Sequence, residues 1–429
     1  MNKKRIVITG MGIVAPNAHG LDDFECALRE GKSGIRFFPR LKELNFGCQV
    51  GGLLEGFEEV RKSYFDHEKL MSLNDNIGYA SVAAVDAWQD AGFPLPEDDS
   101  PVDWDTGAVI GCGIGGMDTI AEKVVPMIGE GRVRRMGSRI VEQVMNSGPS
   151  ARVGGLLGLG GQVTSNSAAC STGTEAIADA VRMIRNGYAK RMVAGGSEGA
   201  SPHIWGGFDA MRVIARKYND EPEQASRPMS ASANGFVPGA GSGILIIEDL
   251  ETARARNARI YAEITGVALN SGGQRNGGSM TAPNPEGVQR CITAAMNDAG
   301  ITTGDIDAIN GHLTATYADP HEIENWRCAL DVTPHEFPYI NSTKSMVGHC
   351  LGAAGAIEAV ATALQLYKGF LHPSMNCEDI HPDIAPYDKS IPRTVMEFPS
   401  LNIMIKACFG FGDVNSCIVF KKWNETAAS

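Results

Sequence analysis

No two cysteines of this sequence form a CxxC pair; the ten stand singly at positions 26, 48, 112, 170, 291, 328, 350, 377, 408 and 417. That scatter excludes a zinc ribbon and a disulfide framework and suits reduced thiols in a cytoplasmic protein. Also missing is any run of about 18 apolar residues free of polar interruption, so no membrane-spanning helix is expected. The start, MNKKRIVITG, has the basic residues of a signal peptide, but its apolar run is broken at Gly10 and Gly12. It reads as a first buried strand. Positive charge is in deficit: the formal net charge is -12. Non-specific binding to nucleic acid or an anionic membrane is therefore disfavoured, although Arg132, Arg134, Arg135 and Arg139 form a local basic group that an acidic partner could meet.

What is present is enough apolar material for a large core. Over 429 residues, 43% are hydrophobic and 51 are glycine, which points to a compact fold with tight turns and close backbone contacts. β-Branched runs at RIVITGMGIV, TGAVIG, RMVAGGSEG, GILIIEDL and IYAEITGVAL read as buried strands. Further strands are expected at DAIN, PYINSTK and IMIKACF, and helices over 73–91, 285–299 and 320–331. An acidic, proline-rich loop spans 93–105, and the closing WNETAAS reads as the frayed end of a domain. Helices alternating with short buried strands give an α/β class with a sheet core covered on both faces.

Two segments resemble each other. GTEAIADAVRMIRNG at 173–187 and GAIEAVATALQLYKG at 355–369 are equally long, begin and end with glycine, and are Ala-rich. Each follows a small-residue turn bearing a reactive side chain, Cys170 in one and His349 in the other. Two related halves meeting near 250–260 would bring both turns to a central seam.

Cys170 lies in SNSAACSTG, just before one of these helices. An isolated cysteine among small residues is commonly a buried filler. Here a helix beginning near Ser171 or Thr172 would turn its N–H groups and positive dipole end toward the sulfur, favouring thiolate and supplying oxyanion donors. The histidine turns NGHLTAT at 310–316 and NSTKSMVGHCLGAAG at 341–355 add His312 and His349 among residues too small or polar for an ordinary core. A metal centre is the competing use of such residues, but no zinc or iron spacing is present. GCGIGG at 111–116 lacks the strand-to-helix setting of a dinucleotide loop.

On these motifs, in their order and over nearly the whole chain, the sequence resembles the beta-ketoacyl-acyl carrier protein synthases of the elongating synthase II type, in the thiolase superfamily. The resemblance implies a five-layered αβαβα thiolase-like fold of two similar halves, with boundaries here at 1–255 and 256–429. It implies a decarboxylative Claisen condensation of a cysteine-bound acyl group with malonyl-acyl carrier protein, without metal or cofactor. By the same resemblance Cys170 is the acylated nucleophile, and His312 and His349 promote malonyl decarboxylation. The backbone N–H groups of Cys170 and Phe409 form the oxyanion hole, and Phe409 also gates the acyl site. Lys344 is a structural and electrostatic lysine near the histidines. Thr314 and Thr316 contact the pantetheine arm, and Ile114 limits acyl-chain depth unless it is simply a core residue. The implied partners are an acyl carrier protein and a second copy of the chain, or a related subunit in a heterodimer.

The sequence departs from the family pattern in three places. HGTSTPxGD stands here as HLTATYAD, one residue shorter, which leaves Asp319 and Glu322 as the acidic positions and Glu322 as the expected partner of Lys344. RDGFVxGEGAG becomes ANGFVPGAGSG, and NSFGFGGTN becomes ACFGFGDVN. These changes favour a specialised fatty-acid or polyketide-like pathway. They also admit an alternative, a non-catalytic chain-length or accessory partner of another ketosynthase.

Overall fold

The computed structural model describes residues 3–425. Its centre is an eleven-stranded mixed sheet that repeats one five-strand pattern twice. In the first half, β1 (Ile6–Ala15) is followed by β2 (Thr106–Gly111), β3 (Val163–Thr164), β4 (Arg191–Glu198) and β5 (Gly241–Asp249). The second half holds β6 (Ala262–Ser271), β7 (Ala308–Asn310), β8 (Tyr339–Asn341), β9 (Ile403–Gly410) and β10 (Val414–Lys422). The spatial order is β3-β2-β4-β5-β1, then β6-β10-β9-β7-β8, with the short strand Ala18–His19 hanging from β1. In each half the first two pairings outward from the seam are antiparallel and the next two parallel. The halves join edge to edge where Ile6, Val7 and Ile8 of β1 pair antiparallel with Ile264, Glu263 and Ala262 of β6.

Strands β1, β2 and β9 are buried along their whole length, which is why they read as continuous apolar runs and not as alternating ones. Helices cover both faces. On the outside, α1 (Asp75–Asp90) packs on β1, β4 and β5. Beyond α2 (Thr172–Arg185), which lies inside, α3 (Pro285–Ala299) takes the matching outer position on β6 and β10. The outer helices start alike: the Asn74 side chain accepts from the Ile77 N–H, and Asn284 from the Glu286 N–H. Helices α4 (Asp319–Leu330) and α5 (Lys344–Val347) precede α6 (Ala354–Lys368), which ends at Gly369 in the left-handed region at φ 72°. Helices α2 and α6 pack on each other and on strands of both halves, giving helix, sheet, helix pair, sheet, helix in succession.

The five-layer arrangement and the expected strands and helices are thus present. Strand β10 and the β1–β6 seam were not anticipated. Of WNETAAS, residues 426–429 lie outside the described residues, as do residues 1–2 of MNKKRIVITG. Among the described residues, no helix is long and apolar enough to cross a membrane.

The two similar segments meet where α2 and α6 cross. A Cβ on Gly173 would lie 2.7 Å from the Ala356 backbone nitrogen, and one on Gly355 would lie 2.1 Å from Thr174 Oγ1. Gly173→Val should therefore destabilise the protein by about 3 kcal/mol, the upper range for overpacking, in urea unfolding. Gly304→Ala, where nothing lies within 4 Å of an added Cβ, should change stability by less than about 0.5 kcal/mol.

Candidate active site

Cys170 lies in the single turn Ala169–Ser171 that leads into α2. Ala169 holds a left-handed φ of 47°, and Leu351, at the corresponding turn before α6, holds the same value. Such a conformation is uncommon for a residue with a Cβ and persists where surrounding bonds impose it. Here Thr172 Oγ1 donates to the Ala169 carbonyl at 2.7 Å and accepts from the Ala168 N–H at 2.8 Å. Ser171 Oγ lies 3.2 Å from the Cys408 carbonyl and 3.1 Å from that of Val414, tying the turn to the β9–β10 hairpin of the other half.

His349 Nε2 is 3.1 Å from Cys170 Sγ. Its Nδ1 accepts the Leu351 N–H at 3.2 Å, so the neutral ring carries its proton on Nε2 and donates toward the sulfur. His312, at the end of β7, stands edge-on to His349 with ring centroids 5.4 Å apart, its buried Nδ1 without a hydrogen-bond partner. Burial, then Lys344, holds both histidines well below the usual imidazole range, and Lys406 adds to this. They are neutral donors at physiological pH.

Burial pushes the Cys170 thiol up to about 12, with Cys408 adding, against the pull of Lys344 and of the Phe411 and Cys170 N–H groups. The expectation that the helix start favours a resting thiolate is therefore not met. The sulfur is a neutral thiol at rest, because desolvation outweighs the donors around it.

Phe409 is not the oxyanion donor. It remains inside β9, paired opposite Asn415, with its ring 6.2 Å from that of His312. The chain leaves the sheet only after Gly410, so the N–H that reaches Cys170 belongs to Phe411. The Phe411 ring also faces the cavity, 6.1 Å from Phe208. Glu322 does not pair with Lys344 either. Its two oxygens accept the His312 and Leu313 N–H groups, both at 2.7 Å, and burial then Asp319 push it up to about 7. Asp319 in turn accepts from the Thr314 and Ala315 N–H groups at 2.9 and 3.1 Å. These two carboxylates shape the His312 loop, while Lys344 is bonded to Glu358 of α6. Glu358 and Lys406 had escaped notice, although each is the single charge in an apolar run, GAIEAVATAL and IMIKACF.

The cavity, of about 770 Å³, runs from Cys170, His312 and His349 past Thr314 and Thr316 to the exposed Tyr317. Thr314 and Thr316 hydroxyls lie 3.0 Å apart on its wall. Ile114 is not on that wall; it packs on the cluster containing Trp205 and Leu351. Arg132, Arg134, Arg135 and Arg139 lie away from the cavity, with Arg132 paired to Glu130 and Arg139 to Glu68. Cys170, His312 and His349 place one donor atom each within 4.8 Å of one another, the one such metal-sized group among the described residues.

Asp413, where the family motif has glycine, is buried with a left-handed φ of 61°. Its carboxylate accepts the Asn284 and Gln274 N–H groups, each at 2.8 Å, and so binds the Phe411 turn to the segment that lines one side of the cavity. Asp413→Ala leaves two N–H groups without acceptors. It should lower stability by about 2 to 4 kcal/mol and speed amide exchange selectively at 272–284, read by mass spectrometry.

With this geometry in view, the chain matches two family models: "Beta-ketoacyl synthase, N-terminal domain" over residues 3–253 and "Beta-ketoacyl synthase, C-terminal domain" over 261–378. It is 34% identical to 3-oxoacyl-[acyl-carrier-protein] synthase 2 of Vibrio harveyi, over 99% of this chain and 100% of that one. With the chloroplastic 3-oxoacyl-[acyl-carrier-protein] synthase I of Arabidopsis thaliana it shares 36% identity, over 97% and 86%. Among solved structures it resembles the ishigamide ketosynthase/chain length factor at a TM-score of 0.88 and 27% identity, covering 98% of this chain and all of that one. A type II polyketide ketosynthase bound to the hexaketide, solved with its acyl-carrier protein, gives 0.86 and 28% over 98% and 100%.

Proposed function

This chain belongs to the beta-ketoacyl synthase family, and we propose that it uses Cys170, His312 and His349 to join an acyl group to malonyl-acyl carrier protein, giving 3-oxoacyl-acyl carrier protein. The observation that carries this reading is the 3.1 Å approach of His349 Nε2–H to Cys170 Sγ, with the Phe411 N–H at the same sulfur and His312 beside it.

In the first half-reaction the sulfur attacks the acyl thioester, its C–S bond forms, and the carrier thiol departs with the proton that Cys170 gives up. The His349 donor and the Lys344 charge stabilise the sulfur as negative charge builds on it. The carbonyl oxygen, negative in the tetrahedral state, accepts from the Cys170 and Phe411 N–H groups; preorganised donors of this kind contribute about 3 kcal/mol each. Malonyl then enters with its thioester oxygen toward His312 and His349, loses carbon dioxide, and leaves an enolate held by the two imidazoles. The enolate carbon attacks the acyl carbonyl, the Cys170 C–S bond breaks, and the departing sulfur anion takes up a proton from solvent to return to the resting thiol. Thr314 and Thr316, on the cavity wall, fit the polar arm of a carrier.

The partner is an acyl carrier protein, a reading supported by the complex of the similar polyketide ketosynthase. A second copy of the chain is the further partner. In support, the segment 125–141 leaves four large apolar side chains, Val125, Ile128, Val133 and Val141, each more than half exposed. The altered 313–317 loop and Asp413 suit a specialised acyl chain over a general one. Ile114, set back from the cavity, is assigned no part in chain length.

Intact-mass spectrometry of the protein with acyl carriers tests the reading. One acyl group should add to the wild type, and malonyl carrier should then discharge it as a chain two carbons longer with release of carbon dioxide. Cys170→Ala should stay folded and acquire no acyl mass. A wild type that is never acylated, or an adduct that persists in Cys170→Ala, contradicts it.

A further inference from the structure

Beneath the site, two lysines converge on one carboxylate. Glu358 of α6 is paired through Oε1 with Lys344 of α5 and through Oε2, at 2.8 Å, with Lys406 of β9. The side chains of Lys344 and Glu358 are 1% exposed and that of Lys406 is 0%. Lys406 Nζ also donates to the Ala407 carbonyl. With both amines and the carboxyl ionised the trio carries one net positive charge, and Lys406 also faces the Cys408 thiol. Among the described residues Glu322 makes no ion pair with either lysine; its carboxyl is engaged by the His312 and Leu313 N–H groups and the Trp326 indole, and Lys344 acts on it only at longer range.

Burying a second ammonium carries a large desolvation cost, and an apolar side chain of similar length could fill the same space. The charge must therefore be judged by what it faces. Both lysines depress both site histidines, and Lys344 pulls down the Cys170 thiol. The same charge opposes a cation at the Cys170, His312 and His349 trio, and it favours any anion formed there.

We propose that Lys406 is a positioning residue of the condensation site: the second half of a two-lysine clamp on Glu358 whose one unneutralised charge favours the anionic sulfur, oxyanion and enolate through which the reaction passes. Its use in catalysis rests on the reading of Cys170 as the acyl carrier, but its effect on the sulfur does not. The titratable and charged groups acting on that sulfur are Cys408 and Lys344, with His349 against it and His312 beside His349; Lys406 and Glu358 face Cys408, and Glu322 holds the His312 loop.

The test follows iodoacetamide modification of Cys170 across about pH 6 to 10, by peptide mass, in the full chain and in K406M, K406R and K406M/E358Q, with folding checked by circular dichroism. K406M removes the surplus charge; the double variant restores it with Lys344 alone. K406M should react about tenfold more slowly at neutral pH, with its profile displaced upward by about one unit. K406R and the double variant should lie within about threefold of wild type. A folded K406M with the wild-type profile overturns the proposal. Should K406M not fold, the double variant decides: a wild-type profile supports the proposal, and a displaced profile or a second loss of folding refutes it. Acyl loading is measured separately, so a chain that alkylates as expected yet takes no acyl group would fail the functional reading and not this one.

Discussion

The close crossing of α2 and α6 is the constraint on which the rest of the structure depends. Glycine at 173 and 355 lets the two backbones approach to a distance that no Cβ would permit. That approach sets the turn carrying Cys170 against the turn following His349, although the two residues lie 179 positions apart. The sheet halves then wrap the helix pair from both sides, joined at three residue pairs between β1 and β6. A cysteine sulfur, two imidazoles and a hairpin from the far half are thereby held in one place.

Electrostatics in this place runs against a simple reading. A helix start beside a cysteine suggests a thiolate, yet burial dominates and the resting sulfur is neutral. The site does not store charge; it is arranged to receive it. Neutral histidines donate, Phe411 and Cys170 supply backbone N–H groups, and the Lys344–Glu358–Lys406 cluster sets a positive background. In the proposed reaction each element would stabilise an anion that exists only along the path, which is where binding energy accelerates chemistry.

Much of this was legible in the residues, and the failures have definite causes. Continuous apolar runs revealed the buried strands, and the paired Ala-rich segments revealed the two halves. The motif turns pointed to Cys170, His312 and His349, whose donor atoms the fold gathers within 4.8 Å, and to Lys344, which it sets on Glu358. Choosing between Phe409 and Phe411 was harder, because the two phenylalanines of FGFG have the same spacing from glycine and differ only in where the strand leaves the sheet. The partner of Lys344 was misassigned because an ion pair across α5, α6 and β9 is a matter of tertiary packing. Glu322 had nearer claims from the N–H groups of its own loop. Strand β10 follows directly on the FGFG motif and closes a hairpin with β9, a pairing that the motif does not announce.

On the proposed mechanism, acylated Cys170 presents its carbonyl oxygen to the N–H groups of Cys170 and Phe411, leaving His312 and His349 free to hold the enolate. A crystal structure of the protein with a stable acyl group on Cys170 tests this most directly. The carbonyl oxygen should lie within about 3 Å of both backbone nitrogens. A carbonyl turned instead toward His312 and His349, with the Phe411 N–H directed elsewhere, would contradict it.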